Sequence, residues 1–299
     1  MCRVDLKKIL SYEETAAAIK TLSREFPFVN EMTIGRSLCD RRILALRIGN
    51  ARENMLFCAS VHGNESITTP LILRFCFDFC FAAAENKTFC GIPVRDALKS
   101  RSLTVVPMAN PDGCEIVRRG AVAAGEYESL VEKLCCGNTE LWKANACGVD
   151  INHNFDADWC SLRKTEERRG IFGPSPGMFG GAYPGSEPET VAMISLCDIV
   201  RPCHVVALHT QGEVIYYGYG TPSEKETRMA EILAMTSGYA LDTPNELSGS
   251  GGFKDWFCKK HKKPGFTLEC GLGKNPLPES MLPELYLKLR ETLAVAAVL

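Results

Sequence analysis

An excess of positive charge is missing from this sequence: 34 Lys and Arg stand against 36 Asp and Glu, for a formal net charge of -2. No basic field exists to draw in nucleic acid or anionic lipid, so neither is expected as a partner. Long apolar runs are missing too. The longest, Ser66 to Ala84, is broken by Arg74 and Asp78, and the opening stretch MCRVDLKKILSYEE has no apolar core of a secretion signal. The expectation is a chain that stays off the membrane and in the cytoplasm. Cysteine is plentiful at 15 residues, yet no two stand as C-x-x-C, which argues against a zinc ribbon or a redox dithiol. The odd count, and the position of Cys58, Cys76, Cys80 and Cys203 within apolar runs, predict buried free thiols rather than a disulfide framework. The adjacent Cys135 and Cys136 are locally polar and suggest no function. Internal repeats, charge blocks, coiled-coil heptads and linkers are also absent, so residues 1–299 are read as one domain.

What is present is the composition of an ordinary folded protein. It is 45% hydrophobic and 23% charged over 299 residues, enough to bury one large core or two small ones. Tyr12 to Phe26 carries Ala16, Ile19, Leu22 and Phe26 at helical spacing and stops at Pro27. Ile43 to Ile48 and Asn54 to Val61 read as strands, the second almost wholly apolar and so buried on both faces. Thr68 to Ala84 reads as a helix, Leu103 to Met108 as a buried strand, and Asn110-Pro111-Asp112-Gly113 as a turn. Ala157 to Ser186 is rich in Gly, Pro and Ser and reads as long surface loops. Helices follow over Glu187 to Val200 and Thr227 to Tyr239, strands over His204 to Leu208 and Gly265 to Glu269, and a last helix over Leu282 to Leu299. Strand and helix alternate, which is an α/β pattern.

Only five histidines are available for metal or acid–base chemistry. His62 and His209 each stand just past a buried strand, where open α/β sheets put their ligands. Glu65 follows His62 by three residues, so this pair and a distant His can offer zinc two imidazoles and one carboxylate. Three protein ligands leave a fourth position for water, the arrangement of a catalytic zinc. Taken alone, H-x-x-E is a frequent chance pairing, and surface or core histidines are its plainer reading. In Phe266-Thr267-Leu268-Glu269 the strand period sends the two apolar side chains one way and Thr267 and Glu269 the other. Glu269 is then either a solvated strand residue or, beside a zinc, a carboxylate that takes a proton from water and delivers it to a leaving amine.

The segments HGNE (62–65), NPDG (110–113), GVDIN (148–152), HTQ (209–211) and FTLECG (266–271) stand in the order found in the M14 zinc carboxypeptidases. The chain resembles that family from about Ile34 to about Pro278. The resemblance implies an α/β fold with a mixed, twisted eight-stranded sheet flanked by helices. It also implies that His62, Glu65 and His209 hold Zn2+, that Asp150 orients a ligand imidazole, and that Glu269 is the general base. Asp150 could otherwise serve as a turn or cap residue.

Departures from the family pattern bear on the substrate. Where the family has Asn-Arg to clamp a terminal carboxylate, this chain has Asn152-His153, and a bidentate guanidinium is lost. The family's carbonyl-polarising arginine follows a tryptophan; here Lys143 follows Trp142 and is the nearest candidate. Aligning Gly251-Gly252-Phe253-Lys254-Asp255-Trp256 with the family's specificity segment puts Leu247 at the place of its active-site tyrosine, with Tyr239 only a distant substitute. The same alignment puts Lys254 where the family reads the side chain after the scissile bond. LWKANACGVD (141–150), HTQGEVIYY (209–217), GGFKDWF (251–257) and LECGLGKNPLP (268–278) are similar to the γ-D-glutamyl-meso-diaminopimelate peptidases, which cut bacterial cell-wall peptides. That subgroup implies a peptide or muropeptide substrate approached by Asn152, His153 and Lys254, with the lysine facing the second carboxylate of diaminopimelate (Dap). The alternatives are an ordinary metallocarboxypeptidase, an aspartoacylase-type zinc deacylase, and a muropeptide-binding protein that has lost turnover.

Overall fold

A computed structural model describes residues 8–242 and 250–299. Ser11 opens the first helix, α1 (Tyr12–Glu25), by accepting a bond from the Glu14 amide, while the Glu14 carboxylate accepts one from the Ser11 amide. Two donors that a helix start leaves without partners are thereby satisfied. Next come β1 (Val29–Arg36), β2 (Arg42–Ile48), β3 (Glu53–Ala59), α2 (Thr68–Ala84), a small ladder of β4 (Thr88–Phe89) and β5 (Ile92–Pro93), α3 (Val94–Ser100) and β6 (Arg101–Val106). The middle of the chain holds α4 (Pro111–Arg119), α5 (Glu128–Cys135), α6 (Trp159–Arg168) and α7 (Pro188–Val200). The remainder runs β7 (His204–His209), β8 (Val214–Tyr217), α8 (Glu224–Ser237), β9 (Ala240–Asp242), α9 (Phe253–His261), β10 (Gly265–Glu269) and α10 (Leu282–Ala296).

Eight of these strands form one sheet in the order β1-β2-β6-β3-β7-β10-β8-β9. Its centre, β6-β3-β7-β10, is parallel, whereas β1 runs antiparallel to β2, β2 to β6 and β8 to β10, with β9 parallel to β8, so the sheet is mixed, as the family resemblance implies. Strand period divides the core. Met55, Phe57, Val206, Leu208, Phe266 and Leu268 meet α1, α2, α8 and α10 on one face. Leu56, Cys58, Val205 and Ala207 meet Met193 and Leu196 of α7 and Phe257 of α9 on the other. Each fully buried Val, Leu, Phe or Met among them contributes about 1.5–3 kcal/mol. β10 departs from this division at Thr267 and Glu269, which are only half-buried and turn toward a cavity.

α2 is apolar almost all round because it lies inside the protein, packed against α10. The two charges that interrupt its sequence pair with each other at 2.8 Å, and the Tyr286 hydroxyl of α10 donates to Asp78 at 2.5 Å. Among the described residues no helix is long and apolar enough to cross a membrane.

The structure corrects several expectations. Asn110 to Gly113 is the start of α4, not a turn: the Asn110 side chain accepts from the Gly113 amide at 2.9 Å and Pro111 occupies the first turn. Turn residues and helix caps share this chemistry, which is why sequence alone misread it. The supposed long loop contains α6, whose buried Glu166 is held by Arg163 and accepts from the Gly180 amide at 2.8 Å. All fourteen cysteines among the described residues are free thiols, but Cys203 is only partly buried.

Candidate active site

The chemistry collects at the C-terminal ends of the parallel strands. The chain leaves β3 and turns at His62 into a short 3-10 turn, Gly63–Glu65. Gly63 is required there because a Cβ would lie 2.5 Å from the Gly113 carbonyl oxygen and 2.8 Å from that of Trp142. That close approach locks HGNE against the start of α4. His209 ends β7 and Glu269 ends β10, and the two are partners in the parallel ladder, so their side chains leave the same face.

His62 Nδ1 lies 2.9 Å from Glu65 Oε1, and His209 Nδ1 lies 2.9 Å from Glu65 Oε2. One ligand atom from each of the three lies within 4.8 Å of the others, and all three residues are buried. Asp150, the N-cap of a short turn at Ile151–His153, stands 3.1 Å from His62 Nε2 and also accepts from the Asn152 and Met178 amides. A proton on Nε2 donated to Asp150 leaves the Nδ1 lone pair facing the cluster. His209 presents Nδ1 to the cluster in the same way, and its Nε2, on the ring edge away from Glu65, is buried with no hydrogen-bond partner among the described residues.

The electrostatics favour a cation. Burial by itself raises the Glu65 pKa, but His62, His209 and Lys143 overcome it and hold the carboxyl well below its usual range. Burial opposes a charge on His62, yet Glu65 and Asp150 outweigh it and lift the imidazole to about 10. A field that retains a proton so firmly suits a metal ion equally. The donor set, two imidazoles and one carboxylate with further groups fixing them, fits zinc.

These residues line a cavity of about 650 Å³. Glu269 faces it, and burial pushes its carboxyl up to about 7 despite opposition from His209. Lys143 also lines the cavity, 3.6 Å from Glu65 Oε1; burial works against its charge, but Glu65, Asp150 and Glu269 raise its pKa overall. His153 Nδ1 donates to the Met178 carbonyl at 2.8 Å, which aligns the ring at the cavity wall. Asn152 lines the wall too, although its side-chain oxygen is taken by the Phe253 amide at 3.0 Å. Lys254 also lines the cavity, but its ammonium is engaged, donating to Asp255 and, at 2.8 Å, to the Gly218 carbonyl.

Tyr239 does not reach the cavity wall. It is buried behind the site, where its hydroxyl accepts from the Gly271 amide at 3.1 Å. Leu247 lies outside the described residues. The sequence reading missed Tyr216, which lines the cavity from β8 opposite Thr267 and was detectable only once β8 was known to pair with β10. It also missed Asn275, whose amide donates to the Thr210 carbonyl at 2.9 Å and to Glu65 Oε1 at 3.4 Å. Asn275 follows Glu269 by six residues, and the Asn-Pro in GKNPLP was its only signal.

The comparisons with known proteins agree with this geometry. The family model described as zinc carboxypeptidase matches residues 15–292. The γ-D-glutamyl-L-diamino acid endopeptidase 1 of Lysinibacillus sphaericus is 37% identical over 275 residues, covering 90% of this chain and 67% of that protein. Murein-tripeptide amidase MpaA from Escherichia coli O157 superposes with a TM-score of 0.54 at 26% identity, over 88% of this chain and 91% of that one. Bovine thrombin-activatable fibrinolysis inhibitor shares the fold, with a TM-score of 0.74 at 20% identity over 98% of this chain and 97% of that one. With nearly its whole length matched and a His-Glu-His cluster at the ends of its central strands, the chain belongs to the zinc carboxypeptidase family of metallopeptidases.

Proposed function

We propose that residues 1–299 act as one zinc-dependent catalytic unit that hydrolyses the γ-D-Glu–meso-Dap bond of murein peptides. The observation that carries this reading is the character of the cavity: a His-Glu-His cluster and a buried lysine, Lys254, line it together, with no arginine among the described lining residues. A carboxypeptidase clamp for a free C-terminus needs a guanidinium, and His153 occupies its position. The names of the endopeptidase relative and of the murein-tripeptide amidase support the same substrate class.

In this reading His62, Glu65 and His209 hold zinc, which supplies a Lewis acid and lowers the pKa of a water molecule. Asp150 keeps the His62 ring in its liganding tautomer. Glu269 takes the proton of the attacking water and passes it to the leaving α-amine of Dap. Burial suits it to both tasks, because a carboxyl raised to about 7 accepts and releases a proton near neutrality. Lys143 keeps its positive charge beside Glu65 and draws negative charge developing on the scissile carbonyl oxygen. Asn152, His153 and Lys254 all line the cavity; we assign the first two to the path of the peptide and Lys254 to the end of the Dap side chain. A cytoplasmic setting, with recycled or sporulation-derived muropeptides as substrates, goes with the free thiols.

Parallel assays of the zinc-loaded protein on a muropeptide, an ordinary peptide with a free C-terminus and an N-acyl amino acid test the proposal. The muropeptide should be cleaved with the highest kcat/KM. Faster removal of an ordinary C-terminal residue would make this a carboxypeptidase, and faster release of the acyl group a deacylase.

A further inference from the structure

Lys254 is not a free ammonium at the end of a pocket. It lies in the first turn of α9 beside Asp255, and the two side chains form an ion pair that is only 4% and 6% exposed. Both line the cavity, on a wall completed by Tyr216 and Thr267, which face each other across β8 and β10. Two of the three ammonium donors are taken within the described residues, by Gly218 and Asp255. Asp255 accepts from one of them and retains further lone pairs.

A buried ion pair contributes little net stability, because desolvation of two charges offsets their attraction, and removing one partner leaves a costly bare charge. The same arithmetic governs a ligand. A lone carboxylate at this wall would draw Lys254 away from Asp255 and leave the aspartate buried without its cation. A lone ammonium would do the reverse. A group carrying both charges on one carbon can satisfy both side chains together, its carboxylate on Lys254 and its ammonium on Asp255.

We infer that the Lys254–Asp255 pair is a recognition site for an α-amino-acid zwitterion at the distal end of the substrate side chain, with Asp255 as a specificity residue for the ammonium. The inference rests on the murein-peptide reading, since meso-Dap ends in such a centre. It goes further by making the distal amine as necessary as the distal carboxylate.

Three matched peptides, L-Ala-γ-D-Glu-X, test it on the wild-type zinc protein. X is meso-Dap, L-2-aminopimelate, which lacks the distal amine, or L-Lys, which lacks the distal carboxylate. The Dap peptide should exceed each of the others in kcat/KM by about tenfold to a hundredfold, the loss expected for one unpaired buried charge. Asp255→Asn should collapse the ratio of Dap to 2-aminopimelate toward about one, because the amide no longer discriminates an ammonium; the wild-type panel stands as a test even if this variant does not fold. Equal cleavage of Dap and 2-aminopimelate by wild type would overturn the role of Asp255 and leave the murein reading intact. Cleavage of none of the three, alongside rapid trimming of an ordinary peptide, would overturn the murein reading and this inference with it.

Discussion

Replacing Glu269 by Gln separates catalysis from architecture more cleanly than any other single change at this site. Among the described residues nothing donates a hydrogen bond to the Glu269 side chain, so the amide breaks no contact, and the backbone bond from the Glu213 amide to the Glu269 carbonyl at 2.8 Å is untouched. Burial lifts the carboxyl to about 7, so the folded site disfavours its charged form, a cost that a neutral amide avoids. Glu269→Gln should therefore fold at least as stably as wild type at pH 8 and keep its zinc. What it loses is the proton acceptor, and general-base removal slows turnover by about a hundredfold to ten-thousandfold, or about 3–5 kcal/mol in the barrier. The assay is kcat on a murein tripeptide with KM, zinc content and thermal midpoint measured on the same preparation. Turnover within tenfold of wild type would remove Glu269 as the base, and loss of zinc in step with activity would make it a ligand instead.

Three further outcomes follow from the same structure. Chelation should abolish activity and zinc restore it, with affinity weakening in acid as protons compete with the metal for its ligand atoms; full activity in His209→Ala without bound metal would contradict the proposed ligand set. Thiol titration of the denatured, unreduced protein should approach all 15 cysteines, and a large shortfall would indicate disulfides. His204 is buried at the start of β7 and donates to the Ala296 carbonyl at 2.8 Å; burial lowers its pKa to about 4, against the pull of that bond. The unfolded chain then binds the proton first, so stability present above pH 6.5 is lost as pH falls toward about 4, by about 3 kcal/mol at full extent. Urea unfolding at pH 7 and pH 4.5 should show this loss in wild type and a smaller one in His204→Asn; equal acid sensitivity would refute it.

The central strands were legible because burial on both faces writes them as short apolar runs, and β3, β7 and β10 lie within two residues of their expected bounds. β1, β8 and β9 were not, since each is partly exposed and β1 carries an irregularity between Thr33 and Gly35 that blurs its period. His62, Glu65, His209 and Glu269 could be picked out because local motifs carry them at strand ends. Asp255 escaped because its meaning depends on a partner one residue away, and Tyr216 because it depends on strand pairing. Asn275 escaped for a similar reason: its contacts with Thr210 and Glu65 span 65 and 210 residues of chain. Lys254 lines the cavity but was expected as an open charge, and no single-residue pattern reveals that the next side chain already neutralises it.

Which bond the enzyme cuts decides its assignment. The purified, zinc-loaded protein should convert a defined L-Ala-γ-D-Glu-meso-Dap tripeptide into L-Ala-D-Glu and free meso-Dap, two fragments that mass spectrometry identifies without ambiguity. Release of alanine, or recovery of the intact tripeptide under conditions where zinc is bound, would contradict it.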